Sequence, residues 1–357
     1  MCLNPRLIKN KSRFHKRDLW NSYMLDTSSQ YIYVNCGVCP QCVRNKQNYL
    51  MQRLILESVD NHIYFFTLTY NNEHLPHFSF PDLDIEFDFV DYKDFQRTFD
   101  RLRKQDNFLP TKYLIVSEYG GKKHRPHLHG FFLVPKSALK SRIAVLNYEK
   151  VLFDMLKEHW SVNVGTRKCP KFEPLFTYAY DPRTGKRNYD LHYVDPYKSK
   201  NGEADVGFYV SKYVLKFDEY VDKFSKLIYA RFQNSDYPED IMYSVLKMFK
   251  PFIHYSHGFG LSSSSVEYLR SNIDKYKDIY PYPIFVNPQS GKTFPLSPYL
   301  FNKVGTLQDR IHFYMNTPSF ATGVDFDTNM RFHEDDKSLQ NKISKFSRQN
   351  RLLSEKY

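Results

Sequence analysis

Two histidines alternate with a leucine in the segment Arg-Pro-His-Leu-His-Gly-Phe-Phe at residues 125–132. Side chains alternate between the two faces of a β-strand, so His127 and His129 point to the same side. Two imidazoles placed in this way can bind a single metal ion. A pair of this kind also arises by chance in a chain with 13 histidines among 357 residues. The interpretation therefore depends on the residues around the pair.

The residues before the histidines predict a β-hairpin. Residues 113–118 have the composition of a strand, and residues 120–126 are typical of a hairpin loop. Pairing of the two strands would bring Glu118 towards His127 and His129. We therefore expect a cluster of two histidines and one carboxylate, and this mixture of ligands together with phosphate oxygens suits Mn²⁺ or Mg²⁺.

Hydrophobic periodicity and turn residues predict the other elements of the chain. The pattern favours helices at 43–59, 92–104, 136–159, 205–217 and 239–249, a further helix after the turn 258–260, and a charged helical tail at 337–356. It favours a strand at 63–70 and irregular structure at 81–90, 169–201 and 280–298, with one strand near 189–194. The helix 136–159 is expected to bury Ile143, Leu146, Val151, Leu152 and Leu156.

Closely spaced cysteines indicate a zinc-binding segment near the start of the chain. Three of them are spaced three positions apart beside Gly and Pro, a pattern typical of a zinc knuckle that lacks its fourth ligand: Cys36, Cys39 and Cys42. Cys2 is the first candidate for that ligand, and Cys169 and His15 are alternatives. Zinc with four protein ligands would be structural, because no position is left for water. Reduced thiols without a metal are the competing interpretation.

The charge of the chain predicts a polyanionic partner. Lys and Arg number 51 against 39 Asp and Glu, which gives a net charge of +12 and favours nucleic acid over a membrane. Aromatic residues make up 17% of the chain and can fill a core or stack on unpaired bases, although a genome rich in A and T would also encode many of them. No signal peptide or apolar run long enough to span a bilayer is present, so we expect a soluble cytoplasmic protein.

Two tyrosines in the predicted helix 205–217 are candidates for a nucleophile. Tyr209 and Tyr213 lie one turn apart on the same helix face, and Lys212 borders that face. A tyrosine can attack a phosphodiester that a metal ion polarises, and a nearby lysine can hold the phosphate. The resulting phosphotyrosine would keep the energy of the cleaved linkage, so the strand could be rejoined without ATP.

Three motifs occur in the order shown by the HUH endonucleases. They are Phe-Thr-Leu-Thr at 66–69, the pair His127 and His129 with Glu118 before it, and the stretch from Tyr209 to Lys216. The paired tyrosines resemble those of the replication initiators of small single-stranded DNA phages, the microviruses. The start at 1–5, the cysteine segment and the stretch 257–260 resemble the gokushovirus-like members of that group.

This resemblance implies an α+β fold with a central antiparallel sheet of HUH-endonuclease type flanked by helices. The implied regions are an N-terminal cysteine segment and helix at 1–60, an endonuclease core at 61–217, and a mainly helical accessory region at 218–357. The implied activity is rolling-circle initiation: a tyrosine nicks the origin, stays on the 5′ phosphate and leaves a 3′-OH primer, and the circle is later rejoined. The implied partners are single-stranded or supercoiled origin DNA and the helicase and polymerase of a bacterial host.

Three other functions fit parts of the sequence. A histidine-triad hydrolase would need a third alternating histidine, and position 131 is Phe. A transposase or plasmid relaxase with a single tyrosine shares the histidine pair, but the second tyrosine argues against it. A non-catalytic, zinc-stabilised DNA-binding protein explains the charge and the cysteines and leaves the other two motifs without a role.

Overall fold

A computed structural model describes most of the chain. The described residues are 6–9, 31–34, 40–121, 123–176, 191–194, 219–288 and 290–316. They divide into two compact units, of which one is Arg53–Ser262 and the other joins the described residues of Met1–Gln52 to those of Ser263–Tyr357. The domain boundaries predicted from the sequence, after residues 60 and 217, are a different division and stay a prediction.

The unit Arg53–Ser262 is built on a five-stranded antiparallel sheet. Its strands in chain order are β3 (Asn61–Thr69), β6 (Lys112–Tyr119), β7 (Pro126–Pro135), β10 (Leu191–Tyr193) and β11 (Ile253–Tyr255), and the smaller strands of the molecule are numbered below. Their order across the sheet is β10-β3-β7-β6-β11. The predicted hairpin is therefore present as β6 and β7, and the predicted strands at 63–70 and 189–194 correspond to β3 and β10. The mixed α/β architecture with an antiparallel sheet is confirmed.

One face of this sheet packs against two helices. Alternate residues of β3 and β7, among them Tyr64, Phe66 and Phe132, belong to a buried cluster with apolar residues of the helices Tyr92–Leu102 and Arg142–His159. Burying one such aromatic or aliphatic side chain contributes about 1.5–3 kcal/mol. Because the side-chain period of a strand is two, the intervening residues of β3 and β7 face the other side of the sheet.

The helix Arg142–His159 begins later than predicted and turns a different face inwards. The hydroxyl of Ser141 caps it by accepting a hydrogen bond from the Ala144 amide, so the preceding residues from 136 are not helical. Ile143 and Leu146 were expected to be buried but are exposed at 72% and 48%. The buried face instead follows Val145, Tyr148, Leu152, Phe153, Met155 and Leu156.

A second buried cluster corrects the prediction of irregular structure at 81–90. The strands β4 (His77–Phe80) and β5 (Ile85–Asp88) pair across a short 3-10 turn, Pro81–Leu83. Ile85 and Phe87 point inwards and pack with residues of the helices Glu219–Gln233 and Glu239–Phe249. Glu86 is exposed and Asp88 partly exposed, and these acidic positions hid the alternation of a strand.

The helix Pro40–Asp60, predicted at 43–59, contains the boundary between the two units. Within the unit Arg53–Ser262, the buried carboxylate of Glu57 accepts hydrogen bonds from the Lys112 ammonium at 2.6 Å and from the Gly260 amide at 2.6 Å. Gly260 has a φ of +80°, and a Cβ there would lie 2.7 Å from the Cβ of Arg53. Only glycine therefore fits this turn. The predicted helix after it is Ser263–Tyr276.

The remaining elements are short. The second unit has the helices Pro298–Val304 and Leu307–Asn316 and the paired strands β1 (Arg6–Lys9) with β2 (Tyr31–Val34) and β12 (Ile284–Val286) with β13 (Thr293–Pro295). The last pair shows that 280–298 is not wholly irregular. The strands β8 (Ser161–Asn163) and β9 (Phe172–Pro174) form a hairpin in the unit Arg53–Ser262. The predicted helix 205–217 and tail 337–356 lie outside the described residues.

Candidate metal centre

The register of the central sheet brings Glu118, His127 and His129 together. Glu118 on β6 lies directly opposite His127 on β7. On the other side of β7, Thr67 of β3 lies opposite His129, and Thr69 lies opposite His127. Directly opposed residues of an antiparallel pair point to the same face, so all five side chains share the face turned away from the two helices.

The three candidate ligands converge on one point. The Nε2 atoms of His127 and His129 lie 3.0 Å and 2.9 Å from the same oxygen, Oε1 of Glu118. One ligand atom from each residue lies within 4.8 Å of the others. The side chains of His127 and Glu118 are partly exposed and that of His129 is buried. A ligand could therefore reach the cluster from one side only.

The far nitrogen of each imidazole has a partner of its own. Nδ1 of His127 donates to the backbone oxygen of Arg125 at 2.9 Å, and Nδ1 of His129 lies 2.9 Å from the hydroxyl of Thr67. A carbonyl oxygen only accepts, so the hydrogen of a neutral His127 sits on Nδ1 and the Nε2 lone pair is left for a metal ion. Such outer hydrogen bonds fix the ring orientation of metal-binding histidines.

Two further contacts hold the site rigid. The ring of Phe65 stacks on that of His129 with centroids 5.5 Å apart. The guanidinium of Arg125 donates to the backbone oxygen of Tyr70 at 2.5 Å and to the side-chain oxygen of Asn72 at 2.8 Å. The supporting roles of Arg125 and Thr67 were not predicted, although the sequence placed Thr67 on one face of its strand and Arg125 in the hairpin loop.

The hairpin loop is anchored to the helix Glu219–Gln233. His124 has a left-handed backbone, with φ of +48°, and its ring stacks on that of Tyr220 at 3.8 Å between centroids and 5° between planes. At the end of β6, the hydroxyl of Tyr119 donates to the backbone oxygen of Phe249 at 2.8 Å. These contacts fix the loop on both sides of the turn that separates Glu118 from His127.

The arrangement fits a divalent cation. Two imidazole nitrogens and a carboxylate oxygen form a three-ligand set on one rigid face, and such a set leaves coordination positions for other oxygen atoms. Within the part of the chain that the structure describes, Glu118, His127 and His129 are the group of potential ligands with this geometry.

The other predicted site residues are only partly described. Tyr209, Lys212 and Tyr213 lie outside the described residues, as do Cys2, His15, Cys36 and Cys39. Cys42 is buried in the first turn of the helix Pro40–Asp60, and Cys169 is exposed between β8 and β9. The described helices include none that is both long and apolar enough to cross a membrane.

Comparison with known proteins identifies the relatives of this chain. Residues 63–218, which include the sheet strands β3, β6, β7 and β10, match the family model of the replication-associated protein ORF2. The chain is also 23% identical over 271 residues to replication-associated protein VP4 of Bdellovibrio phage phiMH2K, a match that covers 72% of this chain and 82% of the relative. No solved structure matches it. The two matches confirm the resemblance that the motifs indicated, which is to the rolling-circle replication initiators of phages.

Proposed function

We propose that this chain initiates rolling-circle replication by nicking single-stranded origin DNA and later rejoining it. The observation that carries the proposal is the convergence of Glu118, His127 and His129 on one face of the sheet, inside the segment 63–218 that matches a replication-associated family. A cluster of this kind is expected where a phosphate must be held and polarised, and the excess of basic residues suits a DNA partner.

In this proposal Glu118, His127 and His129 hold Mg²⁺ or Mn²⁺. When bound, the ion would polarise the scissile phosphate and offset the negative charge that develops during attack. The chain itself contributes the position of the ligands. The backbone oxygen of Arg125 and the hydroxyl of Thr67 orient the two imidazoles, and the stack of Phe65 on His129 excludes water from one side of that ring.

Tyr209 or Tyr213 is the proposed nucleophile. Its phenol oxygen attacks the phosphorus, a bond from phosphorus to tyrosine forms, and the bond from phosphorus to the 3′ oxygen breaks. The phenol proton leaves, the 3′ oxygen takes up a proton, and Lys212 holds the phosphate. The 3′-OH then serves as primer for a host polymerase, with a host helicase opening the duplex.

The second tyrosine closes the cycle. After one round of synthesis it cleaves the regenerated origin, and the free 3′-OH attacks the first phosphotyrosine to release a circle. Each step exchanges one phosphoester bond for another, so no external energy source is needed. A structural zinc ion bound by Cys36, Cys39, Cys42 and a fourth ligand, with Cys2 first among the candidates, stays a prediction from the sequence.

The test is adduct formation on single-stranded DNA that carries the replication origin of the genome encoding the chain. With Mn²⁺ present, we expect a covalent protein–DNA adduct, and mass spectrometry of the digest should find the nucleotide on Tyr209 or Tyr213. The double variant Tyr209→Phe with Tyr213→Phe should form none. Tyr243→Phe, which alters an exposed tyrosine on another helix, is the matched control.

The metal ligands are tested in the same assay. His127→Ala and His129→Ala should each abolish nicking and keep most of the DNA affinity, because phosphate contacts come from Lys and Arg. His77→Ala, at an exposed histidine on β4, should behave as wild type. An adduct in the double tyrosine variant would point to another nucleophile. Binding with no adduct in the wild type would instead favour a non-catalytic DNA-binding protein.

A further inference from the structure

The hairpin of β8 and β9 projects a basic tip into solvent. Residues 163–172 are exposed throughout. Between 161 and 174 the chain carries three basic residues and one acidic residue. Lys171 pairs with that acid, Glu173, at 2.9 Å, whereas Arg167 and Lys168 at the tip make no ion pair with another described residue. Two adjacent cations are thus available to an anionic partner.

The tip is held in a defined shape by its own hydrogen bonds. The side-chain oxygen of Asn163 accepts hydrogen bonds from the amides of Gly165 at 3.0 Å and Lys171 at 2.9 Å. The hydroxyl of Thr166 accepts from the amide of Cys169 at 3.0 Å. A Cβ on Gly165 would lie 2.4 Å from the backbone oxygen of Cys169, so the turn requires glycine. A preformed turn loses little conformational entropy on binding.

An exposed aromatic ring lies on the second strand of the hairpin. The side chain of Phe172 is 49% exposed, and the guanidinium of Arg101 lies over its ring at 5.0 Å. The same guanidinium donates to the backbone oxygens of His159 at 2.6 Å and Ser161 at 2.7 Å, which fixes it at the base of the hairpin. A cation and an aromatic face held together in this way are typical of surfaces on which unpaired bases stack.

The base of the hairpin is attached to the strand end beside the metal centre. The indole of Trp160, the residue before β8, donates to the backbone oxygen of Thr69 at 2.8 Å, and Thr69 lies opposite His127. The side chain of Asn71 donates to the backbone oxygen of Pro174 at 3.0 Å. At roughly 3.3 Å per strand residue, the tip lies at most about 25 Å from Trp160, a distance that a few nucleotides span.

We propose that Arg167 and Lys168 bind phosphates, and Phe172 stacks on a base, of the single strand that flanks the scissile phosphate. This inference rests on the proposed function, because it takes the metal centre to be the place of cleavage. Single-stranded DNA fits the surface better than duplex DNA does, since the bases of a duplex are not free to stack on an exposed ring.

The test compares DNA binding by the full-length double variant Arg167→Ala with Lys168→Ala and by the wild type. Anisotropy of a labelled origin strand is measured without added Mn²⁺ over a range of salt concentrations. Loss of two phosphate contacts should weaken binding about tenfold at physiological salt and reduce the slope of log K against log salt by about 1.4. The matched control, Lys140→Ala with Lys150→Ala, removes two exposed lysines, one just before and one within the helix Arg142–His159, and should keep the wild-type slope.

Alkylation of Cys169 gives a second readout that needs no variant. This exposed thiol lies beside Lys168, so a bound strand should slow its reaction with N-ethylmaleimide, measured for the Cys169 peptide by mass spectrometry. Phe172→Leu should weaken binding of the single strand and leave the binding of the same sequence as a duplex unchanged.

The outcomes separate the two proposals. Adduct formation by the wild type together with unchanged affinity and slope in the hairpin variant would overturn this inference and leave the proposed function standing. Hairpin-dependent binding without an adduct in the wild type would do the reverse. Unchanged alkylation of Cys169 at saturating DNA, or tighter binding of an RNA of the same sequence, would also overturn the assignment, as would a wild type that binds no DNA.

Discussion

The orientation of His129 depends on contacts from three directions. Thr67 and Phe65 come from β3, and Glu118 comes from β6, on the two sides of the strand that carries the histidine. With Nε2 used for a metal ion, Nδ1 must donate its hydrogen, and the Thr67 hydroxyl is the acceptor 2.9 Å away. At the scale of single residues, Thr67 is therefore a positioning residue of the proposed metal centre.

Thr67→Val should lower the affinity for Mn²⁺ by about 10- to 100-fold, because valine has the same shape and cannot accept the hydrogen bond. Titration calorimetry with Mn²⁺ measures the change, and the Mn²⁺ concentration for half-maximal adduct formation should rise in parallel. Thr69→Val, two residues further along the same strand face, is the matched control. Equal Mn²⁺ affinity of Thr67→Val and the wild type would remove Thr67 from the site.

Among the elements, β7 carries the histidines because one of its residues has no side chain. Gly130 follows His129, and its missing Cβ would lie 2.1 Å from Cζ of Phe66 on β3. The Phe66 ring fills that space and stacks on Phe132 with centroids 4.4 Å apart. The glycine thus lets the core on the helix-covered face close directly behind the metal centre.

Gly130→Ala should lower the free energy of unfolding by about 1–3 kcal/mol, because the Phe66 ring must move out of its place in the core. Urea unfolding followed by circular dichroism measures the loss. Gly121→Ala in the hairpin loop, where an added Cβ would meet no atom within 4 Å, is the control and should unfold at the wild-type urea concentration. A Gly130→Ala variant as stable as the control would contradict the packing argument.

Elements with local signals were predictable, and elements defined by distant partners were not. The hairpin of β6 and β7 follows from alternation and a glycine-rich loop, so the approach of Glu118 to the histidines could be predicted. The short strand Ile253–Tyr255 belongs to the sheet only because β6 offers it an edge. The inward face of the helix Arg142–His159 depends likewise on where the sheet lies, and apolar spacing alone misplaced Ile143 and Leu146.

On the scale of the whole molecule, buried histidines link stability to pH. Burial lowers the pKa values of His62, His159 and His254 below the ordinary value, chiefly because the charged form loses hydration. His62 shows the cause most clearly: its Nε2 bonds to the backbone oxygen of Leu139 at 3.0 Å, while its buried Nδ1 has no partner in the described part of the chain. A proton added to Nδ1 would have no acceptor.

The free energy of unfolding should therefore fall as the pH is lowered from about 6.5, the ordinary histidine pKa. In that range the unfolded chain binds protons that the folded chain refuses, so the stabilisation is complete above this pH and is lost as pH falls through the lower folded values. Each refused proton contributes up to about 1.4 kcal/mol per pH unit. Urea unfolding between pH 7.5 and 5.5 measures the slope. His62→Gln should reduce it by removing one of the three groups, whereas His77→Gln at an exposed position should leave it unchanged. An equal slope in His62→Gln and the wild type would show that His62 takes up its proton without unfolding.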